Sequence, residues 1–435
     1  MGEKLTRTFM HLFCEKNSDG TKNLRLKGKD LWQRIGKRLN DKDMRRVAVF
    51  LKDNLKIVKL DLCYNNIGDK GLAILVDRYL SMSDSTLEHL NLVSCNITGK
   101  GIKSLSSIAE TLRLKTLRIN GNKLGFEGGK SAAELLGKCP TLRHFDVGDT
   151  DQTLATVNYF MGVMRRDVGK KNSLQVLDFS RVIPICKTYQ YDPASLADTL
   201  GEMLKVNTTL IELHIQKNEF DGHDVELLLY GLEKNKTLLL LDLGFNSIGD
   251  YGVELLAKWL KKRPSLLGLN ISGNSIHDMG ARALSFGLPF SKVRLLDISY
   301  NRIGNKGMLD ILNSIKKPYV LRLFYFWGNN FNQPTYKVVN RMLQSGVLEK
   351  EHIDVKLYTV DEVLCAAYYP SNHYKHRYYC VIDHGSPVEL RIKRNTIEHE
   401  FAQPRALLKF EYYDRFPVVD ETLSPSTPPC YYCRT

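Results

Sequence analysis

The sequence predicts an α/β solenoid, a horseshoe in which short parallel strands line the concave face and helices cover the convex face. Three observations support this: a repeat of about 28 residues, an alternating apolar pattern that opens each repeat, and a helix-like segment that closes it. Ten segments fit the template apolar-x-x-apolar-x-apolar-x-x-Asn, at intervals of 27 to 36 residues. Each unit can bury its apolar face only against its neighbours, so the array predicts one elongated core.

The first element of each repeat is a strand with one buried face. Template positions four and six alternate with polar residues, as in Leu241 and Leu243, and this period of two is typical of a half-buried strand. The amide of an Asn at position nine can satisfy backbone groups left open where the strand bends away. The ninth positions are Asn65, Cys95, Asn122, Thr150, Val182, Asn218, Asn246, Asn274, Asn301 and Asn329.

A glycine-rich turn and a helix follow each strand. Residues 253–260 carry apolar side chains at helical spacing, which predicts an amphipathic helix on the convex side. Four polar side chains stand where a helix N-cap is expected, at Asp69, Asp250, Asp278 and Asn305.

These residues together form the signature of leucine-rich repeats. The long period, with a full helix in each unit, resembles the ribonuclease-inhibitor-like class of that family. The resemblance implies a non-enzymatic protein that binds partners on its concave sheet. GTPase-activating proteins for a small nuclear-transport GTPase use the same repeat class, so regulation of an enzyme is an alternative.

The N-terminal region, residues 1–54, is predicted to be a basic segment with a capping helix. Residues 1–56 hold 15 Lys or Arg against 7 Asp or Glu, whereas the whole chain has a net charge of +14. Residues 24–26 resemble a degenerate strand and residues 31–51 a helix, which would close the first repeat. Two interpretations stay open: a soluble cap, or an arm that binds nucleic acid or another acidic surface.

The repeats are predicted to occupy residues 55–346, with one irregular unit and a different C-terminal region. An insertion at residues 183–193 contains Pro184 and Pro193, which forbid a continuous helix and predict a loop at the rim. Residues 347–435 are predicted to form a tyrosine-rich cap and tail. In this tail, residues 388–392 alternate like a strand, and Cys430 and Cys433 have a metal-like spacing without a second pair.

Several functional classes lack support in the sequence. No nucleophile elbow, phosphate-binding loop or metal-ligand cluster is present, so we expect no catalytic residues, no metal and no cofactor. No apolar run approaches the ~20 residues of a membrane span. The nine cysteines are scattered, which indicates reduced thiols in a cytoplasmic or nuclear protein.

Motifs around the last repeat narrow the resemblance. The order of residues 326–331, 343–348, 353–355, 360–363 and 373–379 resembles that of one member of the leucine-rich-repeat family. That similarity implies a protein of the cytoplasm and nucleus, including the nucleolus. A scaffold or adaptor in a nuclear assembly is therefore our first hypothesis, and a structural component of a ciliary axoneme is the alternative.

The concave face is the predicted partner surface. Position five of the template and the aromatic residues after the strands should point outward, forming an acidic groove with aromatic side chains that accepts a basic segment. The alternative is that Asp is a common preference of the repeat at position five and that the aromatics cover the last repeat beneath the tail. The predicted binding residues are Asp178, Asp242, Asp297, Phe245, Tyr300, Tyr325 and Trp327.

Overall fold

The strands of the solenoid form one sheet that follows chain order. The computed structural model describes residues 5–165, 167, 172–184, 191–315 and 321–369. The first two strands pair antiparallel, and every later neighbour in the sheet pairs in parallel. The strands are β1 (Cys14–Lys16), β2 (Lys22–Arg25), β3 (Ile57–Asp61), β4 (His89–Asn91), β5 (Thr116–Arg118), β6 (His144–Asp146), β7 (Val176–Asp178), β8 (Glu212–His214), β9 (Leu240–Asp242), β10 (Gly268–Asn270), β11 (Leu295–Asp297) and β12 (Leu323–Tyr325).

Helices alternate with these strands and pack against one another in sequence order. The predicted helix at residues 253–260 is confirmed as part of α10. The helices are α1 (Arg7–Leu12), α2 (Gly28–Ile35), α3 (Met44–Lys52), α4 (Asp69–Leu75), α5 (Gly99–Ser106), α6 (Gly125–Lys138), α7 (Leu154–Met164), α8 (Pro193–Val206), α9 (Gly222–Leu232), α10 (Gly249–Lys261), α11 (Asp278–Gly287), α12 (Asn305–Ser314) and α13 (Gln333–Gln344). Template positions four and six lie in the core between the two layers, which confirms the leucine-rich-repeat horseshoe.

The position-nine asparagines tie each repeat to the one before it. The Asn246 side-chain nitrogen donates to the carbonyl oxygens of Leu243 at 2.8 Å and Ile215 at 3.1 Å, and its oxygen accepts the Asn218 N–H at 2.8 Å. These backbone groups lie where water cannot reach them, so the amide replaces hydrogen bonds that the bend would otherwise lose. Where position nine is Thr150, the hydroxyl makes only one of these bonds, to Val147.

The predicted helix N-caps have a different role. Asp69, Asp278 and Asn305 are the first residues of their helices, and Asp250 is the second of its helix. Their side chains instead cap the next repeat. The Asp250 carboxylate accepts the N–H groups of His277 at 2.7 Å and Gly280 at 3.0 Å, at the start of α11. The N-cap prediction was wrong because repeat stacking places each carboxylate against the following helix.

The N-terminal segment is part of the same sheet. Strand β2 pairs in parallel with β3, as the strand-like residues 24–26 suggested. The single helix predicted for residues 31–51 is wrong, because Gly36 adopts a left-handed φ of 63° and ends α2. A capping box at Asn40 then starts the turn that leads into α3. Leu31, Val47 and Leu51 are buried, so this segment continues the core.

Residues that follow the last repeat close the end of the sheet. The Asp354 carboxylate accepts the N–H groups of Phe326 at 2.8 Å and Trp327 at 3.2 Å. The chain then forms a hairpin of β13 (Val355–Val360) and β14 (Val363–Tyr368) beside α13. The expected strand at residues 388–392 and the pair Cys430 and Cys433 lie outside the described residues, as does the middle of the predicted rim loop.

Candidate functional site

The position-five carboxylates of the concave face bind their own backbone. Asp242 accepts the Gly244 N–H at 3.1 Å, Asp178 accepts that of Ser180 at 2.9 Å, and Asp297 accepts that of Ser299 at 3.0 Å. The exposed fractions of the three Asp residues are 0%, 4% and 6%. Our expectation that they face solvent was wrong, because each carboxylate turns back to satisfy the N–H two residues later, as Asx motifs do.

Tyr325, the fourth predicted residue at position five, is also buried, with 2% of its surface exposed. It packs with Leu240, Leu295 and Leu323 in an apolar cluster separate from the main core. These leucines occupy position three of the template, so alternation along the strand places them on the concave side. We call these four residues the concave apolar cluster.

A buried charge cluster lies beside it on β8 and β9. His214 Nδ1 is 3.1 Å from Asp242 Oδ2, and His214 Nε2 is 3.6 Å from Glu212 Oε2. Burial by itself lowers the pKa of His214, but its hydrogen bonds to these two carboxylates raise that pKa to about 10. The ring is therefore a cation at neutral pH. The Gln216 and Asn270 amides complete the shell of Asp242, at 2.7 Å and 2.8 Å.

Asp178 responds to the same environment in the opposite chemical sense. Burial raises its pKa to about 8, and the neighbouring Asp146 carboxylate adds to the rise. A carboxyl with this pKa binds a proton readily at neutral pH. A cation arriving on the concave face would favour its ionised form.

One oxygen of this cluster has no hydrogen-bond partner. Glu212 is 3% exposed, yet its Oε1 atom accepts no hydrogen bond. A buried carboxylate oxygen left in this state costs free energy, on the order of 1–3 kcal/mol. A donor from a bound ligand would remove that cost, and a guanidinium or ammonium group would do so most strongly.

Exposed aromatic rings stand at the ends of the strands. Phe245 and Tyr300 are 43% and 42% exposed, and their ring centroids are 6.5 Å apart. Gly273 lies between them in repeat order, and a Cβ there would come within 2.6 Å of the Phe245 ring. The glycine therefore leaves room for the ring to lie over the next repeat. Trp327, the last of the predicted aromatics, is half-buried and stacks near Tyr368 at 6.0 Å.

Phe245 and Tyr300 share an unusual backbone conformation. Position eight of the template has a positive φ in all ten repeats, which is rare for residues other than glycine. The left-handed turn directs this side chain away from the core at the carboxyl end of the strand. The position-eight residues are Tyr64, Ser94, Gly121, Asp149, Arg181, Lys217, Phe245, Gly273, Tyr300 and Gly328.

A cavity of about 650 Å³ opens at this edge of the concave face, lined in part by Lys123, Asp149, Arg181, Lys217 and Phe245. Arg181 Nη1 lies 3.6 Å from Asp149 Oδ2, and Lys217 Nζ lies 5.4 Å from the Phe245 ring centroid. Burial raises the pKa of Asp149 although both cations oppose the shift. This edge therefore adds polar groups of both signs next to an aromatic surface.

Among the residues predicted from the sequence, the structure brings Phe245 and Tyr300 together, while Asp178, Asp242, Asp297 and Tyr325 form buried parts of the concave face. Sequence reasoning missed Glu212, whose position in the template was known but whose unpaired oxygen depends on the placement of its neighbours. It also missed Arg181 and Lys217, although both occupy position eight beside Phe245 in repeat order.

Two other observations bear on the chemistry. Within the described residues, no group of three or more His, Cys, Asp or Glu side chains is arranged to hold a metal ion. Across the same part of the chain, every helix is too short or too polar to cross a membrane.

Comparisons with known proteins identify the repeats. A family model described as "Leucine Rich repeat" matches residues 53–75, 83–106, 234–257, 264–285 and 291–312. Leucine-rich repeat-containing protein 34 of Rattus norvegicus is 31% identical over 93 residues, which cover 21% of this chain and 22% of the rat protein. This similarity confirms the resemblance drawn from the motifs around the last repeat.

Ribonuclease inhibitor of Sus scrofa is 40% identical over 79 residues, covering 18% of this chain and 17% of the pig protein. Each of these two matches therefore spans about a fifth of the curated relative. Among solved structures, a TLR13–ssRNA13 complex aligns with a TM-score of 0.37 at 16% identity, covering 66% of this chain and 37% of the other.

Proposed function

We propose that this chain, a leucine-rich-repeat protein, is a non-enzymatic interaction scaffold whose concave face binds a basic segment of a partner protein. The unpaired Glu212 oxygen is the observation that supports this most strongly, because it is an acceptor already removed from water. A cationic side chain that reached it would gain a charge-assisted hydrogen bond without a new desolvation cost for Glu212.

The aromatic edge complements that acceptor. Phe245 and Tyr300 offer ring faces to which an Arg or Lys can bind by cation–π attraction, and Lys217 of the chain itself already lies near the Phe245 ring. A partner with basic and aromatic residues would use both parts of the surface. Affinity should then decrease as salt increases, because part of it is electrostatic.

The cellular setting of this scaffold is also a proposal. The resemblance to leucine-rich repeat-containing protein 34 favours a nuclear or nucleolar assembly over a ciliary axoneme. Imaging of a tagged chain in ciliated source cells would separate the two, since an axonemal component remains along the cilium after detergent extraction. Signal restricted to the axoneme would contradict the nuclear proposal.

Regulation of an enzyme is a second candidate, favoured by the match to ribonuclease inhibitor, a protein named for its action on an enzyme. An inhibitor would also bind its target through the repeats, so binding alone does not distinguish the candidates. Ribonuclease and GTP-hydrolysis assays with and without the purified chain would do so. A stoichiometric change in either rate would favour the regulator.

The concave surface is tested by paired variants in affinity capture under crosslinking from source tissue. Phe245→Ala with Tyr300→Ala removes the aromatic edge, and we expect partner recovery to fall several-fold. The matched control is Tyr159→Ala with Tyr230→Ala, which removes two rings of similar exposure from convex helices α7 and α9. If the control loses the partner and the concave variant keeps it, the proposal is wrong.

A further inference from the structure

The concave face is covered to a degree that the described elements do not explain. Leu240 lies on β9, three strands inside the end of the sheet, and is 1% exposed, as is Leu323 on β12. The described helices pack on the opposite face, and the hairpin β13–β14 lies beside α13 at the end of the solenoid. A buried apolar cluster on this face is explained if a further segment lies over it.

The described chain ends next to this surface. The Tyr368 ring lies 6.0 Å from the Trp327 ring, and the Tyr369 N–H donates to the Asp354 carbonyl oxygen at 3.0 Å. Trp327 directly follows the last concave strand. Whatever follows Tyr369 therefore begins at the C-terminal end of the concave apolar cluster.

The next residues complement the face in charge and in aromatic content. Residues 370–380, with the sequence PSNHYKHRYYC, contain Lys375 and Arg377, no Asp or Glu, and three tyrosines. The face offers the unpaired Glu212 oxygen together with the Phe245 and Tyr300 rings. These are the partners that cations and tyrosines take.

We propose that residues 370–380 occupy the concave face as an intramolecular ligand, which a partner's basic segment must displace. This inference rests on the proposed function, since it assigns the same surface a resident occupant. Strand β8 is four strands from β12, or about 19 Å at the usual strand spacing. Eleven residues can reach up to about 36 Å, so the segment spans the cluster as far as Glu212.

The experiment uses the full chain with a photo-crosslinking benzoylphenylalanine in place of Phe245. Irradiation of the monomeric fraction should give intrachain crosslinks to residues 370–380. Lys375→Glu with Arg377→Glu should reduce them several-fold, since these substitutions lie outside the repeats. The matched control is Arg415→Glu, within another tyrosine-containing segment, residues 411–421, which holds four acidic residues and one basic residue. That variant should leave the crosslinks unchanged.

Three results would overturn the inference: no crosslinks to residues 370–380, crosslinks to residues 411–421 in their place, or crosslinks between isotope-labelled and unlabelled copies only. The last of these would assign the face to a second copy. Partner recovery separates this failure from failure of the proposed function. If Phe245→Ala with Tyr300→Ala loses the partner but position 245 never crosslinks to residues 370–380, the concave face binds partners without a resident segment.

Discussion

Replacing Asp242 with alanine should be among the most destabilising single changes in this chain. The carboxylate accepts hydrogen bonds from Gly244 at 3.1 Å, Gln216 at 2.7 Å, Asn270 at 2.8 Å and His214 at 3.1 Å. Removing it leaves a buried imidazolium without its nearest counter-charge. Breaking a buried charged pair in this way costs about 3–5 kcal/mol, so we expect the free energy of unfolding to fall by about 4 kcal/mol.

Urea unfolding followed by circular dichroism measures this loss. The matched control is Asp198→Ala, an exposed carboxylate on convex helix α8, which should change stability by no more than about 0.5 kcal/mol. Asp242→Asn keeps one acceptor oxygen and should fall between the two. Equal midpoints for Asp242→Ala and Asp198→Ala would refute the assignment of Asp242 as a buried structural group.

Three further predictions concern the fold. Asn246→Ala removes the bonds that join two repeats and should cost about 2–4 kcal/mol in urea unfolding, whereas the exposed Asn330→Ala should be nearly neutral. The raised pKa of Asp178 means that its contribution to stability is full below the unfolded pKa of about 4 and declines as pH rises toward about 8. The melting temperature should therefore fall less between pH 5 and 8 in Asp178→Asn than in the unmodified chain, and equal slopes would contradict the shift. Gly280→Ala should destabilise, because its Cβ would lie 2.6 Å from Asp250, whereas Gly162→Ala, with open space around it, should stabilise α7 by about 0.5–1 kcal/mol in thermal melts.

Sequence periodicity predicted the architecture well because the repeat makes local pattern and global packing agree. The asparagine at position nine could be assigned a role in advance, since an amide at a bend has few other uses. The N-cap interpretation of Asp250 failed for a related reason. Its true partners, His277 and Gly280, are in the next repeat, and only stacking brings them within hydrogen-bond distance.

The candidate site was less predictable than the fold. Strand alternation correctly places Asp242 on the concave side, but it cannot show that the carboxylate turns back onto Gly244 and becomes buried. Exposure of Phe245 depends on the missing side chain of Gly273, one repeat away. The unpaired oxygen of Glu212 depends on where four neighbouring strands place their polar atoms, which no sequence pattern encodes.

The affinity of Glu212→Gln for its partner tests the central claim most directly. The substitution keeps the shape of the side chain and removes its negative charge, while Asp242 continues to hold His214. The probe is the partner peptide that crosslinks to position 245, titrated by calorimetry into the full chain. Loss of one charge-assisted hydrogen bond, about 1.5–3 kcal/mol, predicts at least about a tenfold rise in Kd with little change in melting temperature. An unchanged Kd in a folded Glu212→Gln protein would show that the concave acidic cluster does not bind the partner.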